Sequence, residues 1–141
     1  MSRVQLALNV ADLDEAVRFY SRLFATQPNK LEPGYANFAV ADPPLKLILF
    51  EAPAAGSRLN HLGIEVGSAS EVQARQHRLD REGVPSVAAT GTCCFANQEK
   101  VWLEAPDGAW EIYAVIADSN TFGPCSTPDE EAEHVWCASA P

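Results

Sequence analysis

Two groups of residues in this chain carry side chains suited to binding a metal or a soft element. The first is an adjacent pair, Cys93 and Cys94, set in Gly91-Thr92-Cys93-Cys94-Phe95. Thiolates prefer soft acceptors, among them trivalent arsenic, Cd(II), Cu(I) and Zn(II). On a regular strand two successive side chains point to opposite faces, so joint action on one ligand requires the backbone to leave strand geometry there. Gly91, just before the pair, permits that departure. The alternative is a buried pair of small hydrophobes, which is how free cysteine behaves in a core.

The second group is dispersed. Gln5, His61 and Glu111 are polar residues inside apolar, strand-like runs. A neutral imidazole, an amide oxygen and a carboxylate form a set that a first-row divalent metal accepts, with positions left open for water, oxygen or substrate. Each residue alone is explained more simply, as a hydrogen-bonded core histidine, an exposed strand carboxylate or an unremarkable amide. Together, and related by the repeat described next, they favour a metal site.

The elements that must position these residues occur twice. Val4 to Val10 has the aliphatic content of a buried strand, and Asp12-Leu13-Asp14-Glu15 supplies a helix N-cap with a carboxylate three residues on. Leu13, Ala16, Val17, Tyr20, Leu23 and Phe24 then recur at helical spacing until Gln27-Pro28. Two strands follow, Tyr35 to Val40 and Leu45 to Glu51, joined by a turn at Asp42-Pro43-Pro44. The pattern restarts at His61 to Val66, with a second cap, Ser68-x-x-Glu71, and a helix to about Arg81. A shift of 56 positions superposes Gln5 on His61, Val10 on Val66, Asp12 on Ser68, Glu15 on Glu71, Arg22 on Arg78 and Leu23 on Leu79.

After Pro85 come an extended stretch to Ala89, the cysteine segment, a strand Lys100 to Glu104, the turn Pro106-Asp107-Gly108 and a last strand Trp110 to Tyr113. The expected fold is α+β, with two modules at about residues 1–56 and 57–116. Each module is a strand, a helix, then two or three strands. Two sheets covered by helices on one face can enclose a pocket between their free faces. Aligning the proline-containing turns places Leu47 or Ile48 opposite Glu111, so the first module offers no fourth polar ligand there; Glu51, at the strand end, is the nearest candidate. His77, among Arg75, Arg78, Asp80 and Arg81, reads as solvated.

Length and charge narrow the function classes. A chain of 141 residues, 47% of them hydrophobic, makes one domain with an enclosed core. No run approaches the roughly 18 apolar residues of a membrane span, and no signal-peptide pattern precedes Val4, so a cytoplasmic protein is expected. The net charge is -9, of which Asp118, Asp129, Glu130, Glu131 and Glu133 contribute five in a segment, 117–141, without Lys or Arg. That segment is expected to be a flexible acidic tail carrying Cys125, His134 and Cys137. An acidic surface argues against nucleic-acid or anionic-membrane partners and for a small-molecule ligand. Four cysteines in a reducing compartment read as thiols rather than disulfides.

The chain resembles the vicinal oxygen chelate superfamily, which includes glyoxalase I, bleomycin and fosfomycin resistance proteins and extradiol dioxygenases. Within it, the resemblance is to the ArsI/CadI group of organoarsenical C–As bond lyases and cadmium-induced proteins. It is carried by SRVQLALNV at Ser2 to Val10, PGYANFAVADPPLKL at Pro33 to Leu47, LNHLGIEVGS at Leu59 to Ser68, TCCFA at Thr92 to Ala96 and EKVWLEAPDGAWEIY at Glu99 to Tyr113. The resemblance implies paired βαβββ modules forming a cup around a divalent metal. It further implies an Fe(II)-dependent dioxygenase that uses O2 to cleave trivalent organoarsenicals such as methylarsenite and aromatic arsenicals to arsenite. By that likeness Gln5, His61 and Glu111 are the iron ligands and catalytic centre, Cys93 and Cys94 hold the arsenic, and the chain is a monomer or a homodimer. The same group includes the alternative, a Cd(II)- or As(III)-sequestering protein without turnover. A lactoylglutathione-type isomerase is disfavoured by the apolar Leu47/Ile48 position.

Overall fold

The computed structural model describes residues 2–123, leaving aside the side chains of 92–95 and 119–123. Cys125, His134, Cys137 and most of the expected tail lie outside the described residues. The elements run β1 (Arg3–Val10), α1 (Leu13–Leu23), β2 (Lys30–Glu32), β3 (Tyr35–Val40), β4 (Leu45–Glu51), β5 (Leu59–Glu65), α2 (Ala69–Arg81), β6 (Ser86–Ala105) and β7 (Gly108–Gly123). Both helices begin where the capping residues stand. The Asp12 carboxylate accepts from Glu15 N at 3.0 Å, and Ser68 Oγ accepts from Glu71 N at 3.2 Å. Glu71 answers by accepting from Gly67 N at 2.6 Å, which fixes the entry of α2 from both sides.

The strands form one mixed sheet in the order β2-β3-β4-β1-β5-β7-β6. β1 lies parallel to β4 and β5 parallel to β7, while β1 and β5 meet antiparallel at the centre. The central register carries the repeat. Leu6 faces Leu62, and the pairs Gln5–Gly63 and Ala7–His61 stand on either side of it. Because the repeat maps Gln5 to His61 and Ala7 to Gly63, those two pairs exchange under a two-fold axis through Leu6 and Leu62. One sequence pattern, used twice, therefore puts Gln5 and His61 on neighbouring strands.

Alternation decides the rest. Leu45, Leu47 and Leu49 of β4, with Leu6, Leu8, Ala36, Phe38 and Val40, pack against Leu13, Ala16, Val17, Tyr20 and Phe24 of α1. Val101, Leu103, Ile112 and Ala114 pack with Ile64 and Val66 against Val72 and Leu79 of α2. The opposite parity on every strand faces away from the helices. Two expectations shift. In the first module the short strand β2 supplies the third strand of the expected βαβββ order, whereas Leu23 is 57% exposed rather than part of the packed helix face. The second module's final strands are long: β6 runs without a break through the cysteine segment, and β7 continues to Gly123, so the change expected at residue 117 falls at least six residues later.

Candidate functional site

The side chains turned away from the helices line a cavity. It draws Gln5 from β1, Tyr35 and Asn37 from β3, Lys46, Ile48 and Phe50 from β4, His61 from β5, Ala96 and Gln98 from β6, and Glu111, Tyr113 and Val115 from β7.

Gln5, His61 and Glu111 converge in it. Gln5 Nε2 donates to Glu111 Oε1 at 2.7 Å and lies 3.2 Å from His61 Nε2, which is itself 3.2 Å from Glu111 Oε1. All three are buried, with 5%, 2% and 3% exposure. The imidazole is held by a chain of amides: His61 Nδ1 lies 2.7 Å from Asn60 Oδ1, and Asn60 Nδ2 donates to Asn9 Oδ1 at 3.0 Å. Asn60 Oδ1 can only accept, so Nδ1 carries the proton and Nε2 turns its lone pair to Gln5 and Glu111. The Trp102 ring meets the imidazole edge-on at 5.4 Å and limits its rotation.

Charge is compensated from one side. Lys100 Nζ donates to Glu111 Oε2 at 2.7 Å, leaving Oε1 as the oxygen facing His61 and Gln5. Burial alone would raise the Glu111 carboxyl, but the Lys100 ammonium beside it outweighs burial and holds it well below the usual carboxylate range. Glu111 is therefore an anion throughout the neutral range. Burial pushes the Tyr113 phenol up, so it stays protonated and donates to Gln5 Oε1. The result is an imidazole lone pair opposite a carboxylate oxygen, a pairing of two acceptors that a cation between them relieves. A half-turn of the Gln5 amide exchanges its nitrogen for its oxygen. One imidazole nitrogen, one carboxylate oxygen and one amide oxygen fit a first-row divalent metal. Among the described residues no three His, Cys, Asp or Glu cluster, and the third member of this set is the Gln5 amide.

Gly63 makes the convergence sterically feasible. A Cβ there would lie 2.9 Å from Glu111 Cγ and 3.2 Å from Gln5 Nε2. Gly63→Ala is expected to displace both side chains and to lower stability by about 1–3 kcal/mol. Urea unfolding of the metal-free protein at fixed pH measures the loss.

The register also settles the fourth position. Ile48 pairs with Ala7 as Glu111 pairs with Gly63, so Ile48 is the symmetry counterpart of Glu111 and is apolar. Glu51 is elsewhere: its carboxylate accepts from Leu13 N at 2.8 Å and fastens the start of α1. His77 is exposed on α2, as expected. Cys93 and Cys94 belong to β6 by their backbone; their side chains are outside the described residues. The strand does not stay regular there, since its pairing with β7 shifts between Cys94 and Ala96 and again between Asn97 and Gln98. Ala96, two residues beyond the pair, lines the same cavity as His61. Lys100, Tyr113 and Asn60 were not anticipated. The signal for the first two was parity: Lys100 stands two residues from Gln98, and Tyr113 two from Glu111.

Comparison with known proteins bears on this geometry. The Glyoxalase/Bleomycin resistance protein/Dioxygenase superfamily matches residues 3–111, a span that begins just before Gln5 and ends on Glu111. The chain belongs to that superfamily. Among its relatives within the superfamily, a cadmium-induced protein CadI of Mycobacterium tuberculosis is 60% identical over 125 residues, covering 87% of this chain and 82% of the relative. A trivalent organoarsenical cleaving enzyme of Thermomonospora curvata is 48% identical over 136 residues, covering 91% and 90%. In fold, the Mn(II)-bound glyoxalase of Novosphingobium aromaticivorans superposes with a TM-score of 0.59 at 19% identity, over 84% of this chain and 42% of that one.

Proposed function

We propose that this protein is a non-haem Fe(II)- and O2-dependent enzyme that cleaves the carbon–arsenic bond of trivalent organoarsenicals, methylarsenite and aromatic arsenicals among them, releasing arsenite. One observation carries the reading: Gln5, His61 and Glu111 meet within 3.2 Å of one another in a cavity also lined by Ala96, two residues from the cysteine pair. Support also comes from the 48% identical relative whose name is trivalent organoarsenical cleaving enzyme.

In this reading Gln5, His61 and Glu111 hold the iron and form the catalytic centre. Bound there, Fe(II) would supply the one-electron chemistry that O2 requires. Lys100 keeps the Glu111 carboxylate charged and oriented, and after the half-turn of Gln5 the Tyr113 hydroxyl would accept from its Nε2 and so hold the amide oxygen towards the centre. Cys93 and Cys94 chelate As(III) and turn its organic group into the cavity, which makes the encounter with the reacting centre intramolecular. The protein is expected to act in the cytoplasm, as a monomer or homodimer, on a small molecule rather than on nucleic acid or membrane.

A second reading, a Cd(II)- or As(III)-sequestering protein without turnover, is favoured by the 60% identical relative named for its induction by cadmium. Oxygen uptake separates the two. Reduced, Fe(II)-loaded protein given excess methylarsenite is expected to consume O2 and release arsenite over many turnovers. Binding of one or two equivalents with no O2 uptake would establish the sequestering reading instead.

A further inference from the structure

The two halves of the cavity are related by symmetry but differ in chemistry. In the second module Trp102 pairs with Glu111 and Lys100 with Tyr113. The counterparts in the first module are Asn37 paired with Ile48 and Tyr35 paired with Phe50. One half thus presents a carboxylate, an ammonium and a phenol held in hydrogen bonds. The other presents Ile48 and the Tyr35 and Phe50 rings, whose centroids are 5.7 Å apart. Such a surface suits the organic part of a ligand.

A single polar side chain interrupts it. Asn37 is 6% exposed, and its Nδ2 donates to Tyr35 Oη at 3.1 Å. The Oδ1 has no hydrogen-bond partner, although Asn37 lines the cavity. The ammonium groups that also line it are near acids, Lys46 at 3.7 Å from Glu65 and Lys30 at 3.8 Å from Asp118. A buried acceptor left without a donor is costly, and native proteins satisfy nearly all of them.

We propose that Asn37 Oδ1 is the specificity determinant for the organic group: it accepts a hydrogen bond from the substrate, so the first-module half of the cavity selects aryl arsenicals bearing an amino or hydroxyl group over those bearing an apolar group of the same size. The proposal rests on the organoarsenical reading given above and names which substrates within it are preferred. A site built around a hydrogen-bond acceptor rejects the analogue lacking the donor, because the acceptor is then buried again without a partner.

The test compares aminophenyl with methylphenyl arsenites, substituted at the 3- or the 4-position, since amino and methyl groups differ little in size. Dissociation constants are measured on the reduced full-length chain with and without Fe(II), and kcat/KM on the Fe(II)-loaded protein. The wild type is expected to favour the amino compound about tenfold at one of the two positions. Asn37→Leu is expected to bring that ratio to within about twofold. Tyr35→Phe, which removes the hydroxyl at Nδ2 and leaves the Asn37 amide in place, is expected to keep it. Because two ligands are compared on one protein, a general loss of affinity in a variant cancels from the ratio; Asn37→Ala serves if the leucine variant does not fold. A wild-type ratio below about twofold at both positions, or a ratio unchanged in the Asn37 variants, would overturn the proposal. Absence of turnover with every arsenical would count against the enzymatic reading alone, since the binding ratios still report on Asn37.

Discussion

His61→Ala is expected to eliminate retained iron and to reduce organoarsenical turnover by about 10³-fold or more. The imidazole is the only nitrogen donor of the three converging side chains, and its Nε2 stands 3.2 Å from both Gln5 and Glu111. Without it two oxygen donors remain, and one of them, Glu111, is already paired through Oε2 with Lys100. Even changes to groups that merely orient a metal ligand cost 10- to 100-fold, so removing the ligand costs more. Iron per chain after anaerobic dialysis and the rate of arsenite release check the two effects. His77→Ala, an exposed change on α2, is the control and should alter neither.

Cys94→Ser is expected to spare the metal and abolish the reaction. The three converging donors do not include sulfur, so iron retention should stay at the wild-type value. Serine offers a hard, protonated oxygen in place of a soft thiolate, and Cys93 alone can form one As–S bond but no chelate. The second bond of a chelate forms at a local concentration of millimolar or more, so its loss weakens capture by at least about 10²-fold. Turnover of methylarsenite at low concentration should fall by at least that factor. Loss of iron from Cys94→Ser would instead make the cysteine pair part of the metal site.

These effects come from residues whose place could be judged from sequence to different degrees. Strand β1, helix α1, strands β3 and β4, and helix α2 were legible because capping residues and alternation are local: Asp12 and Ser68 start the helices as their side chains demand. The repeat was legible too, and with it the pairing of Gln5 with His61, since a two-fold axis maps one onto the other. Glu111 could be proposed but not placed, because its approach depends on the parallel pairing of β5 with β7, a contact between residues about 50 apart in sequence. Gly63 is similar: nothing beside it in sequence shows that two side chains must pass over its missing Cβ. Alternation could put Lys100 and Tyr113 on the cavity face, but their contacts with Glu111 and Gln5 are recognisable only once β6 and β7 are in register. The length of that hairpin is not legible because Ala117, Asp118, Ser119 and Asn120 interrupt the run and give little strand signal, while the partner β6 supplies hydrogen bonds regardless.

The central claim is that the cysteine pair and the Gln5, His61 and Glu111 centre act on a single bound molecule. A single-turnover experiment addresses it most directly. The reduced chain is loaded anaerobically with one equivalent of Fe(II) and one of methylarsenite, then mixed with O2-saturated buffer, and the arsenic is speciated after quenching. Wild-type protein is expected to yield close to one arsenite per chain, and His61→Ala and Cys94→Ser are expected to return methylarsenite intact. Intact methylarsenite from the wild type, or arsenite from either variant at the wild-type yield, would contradict the account.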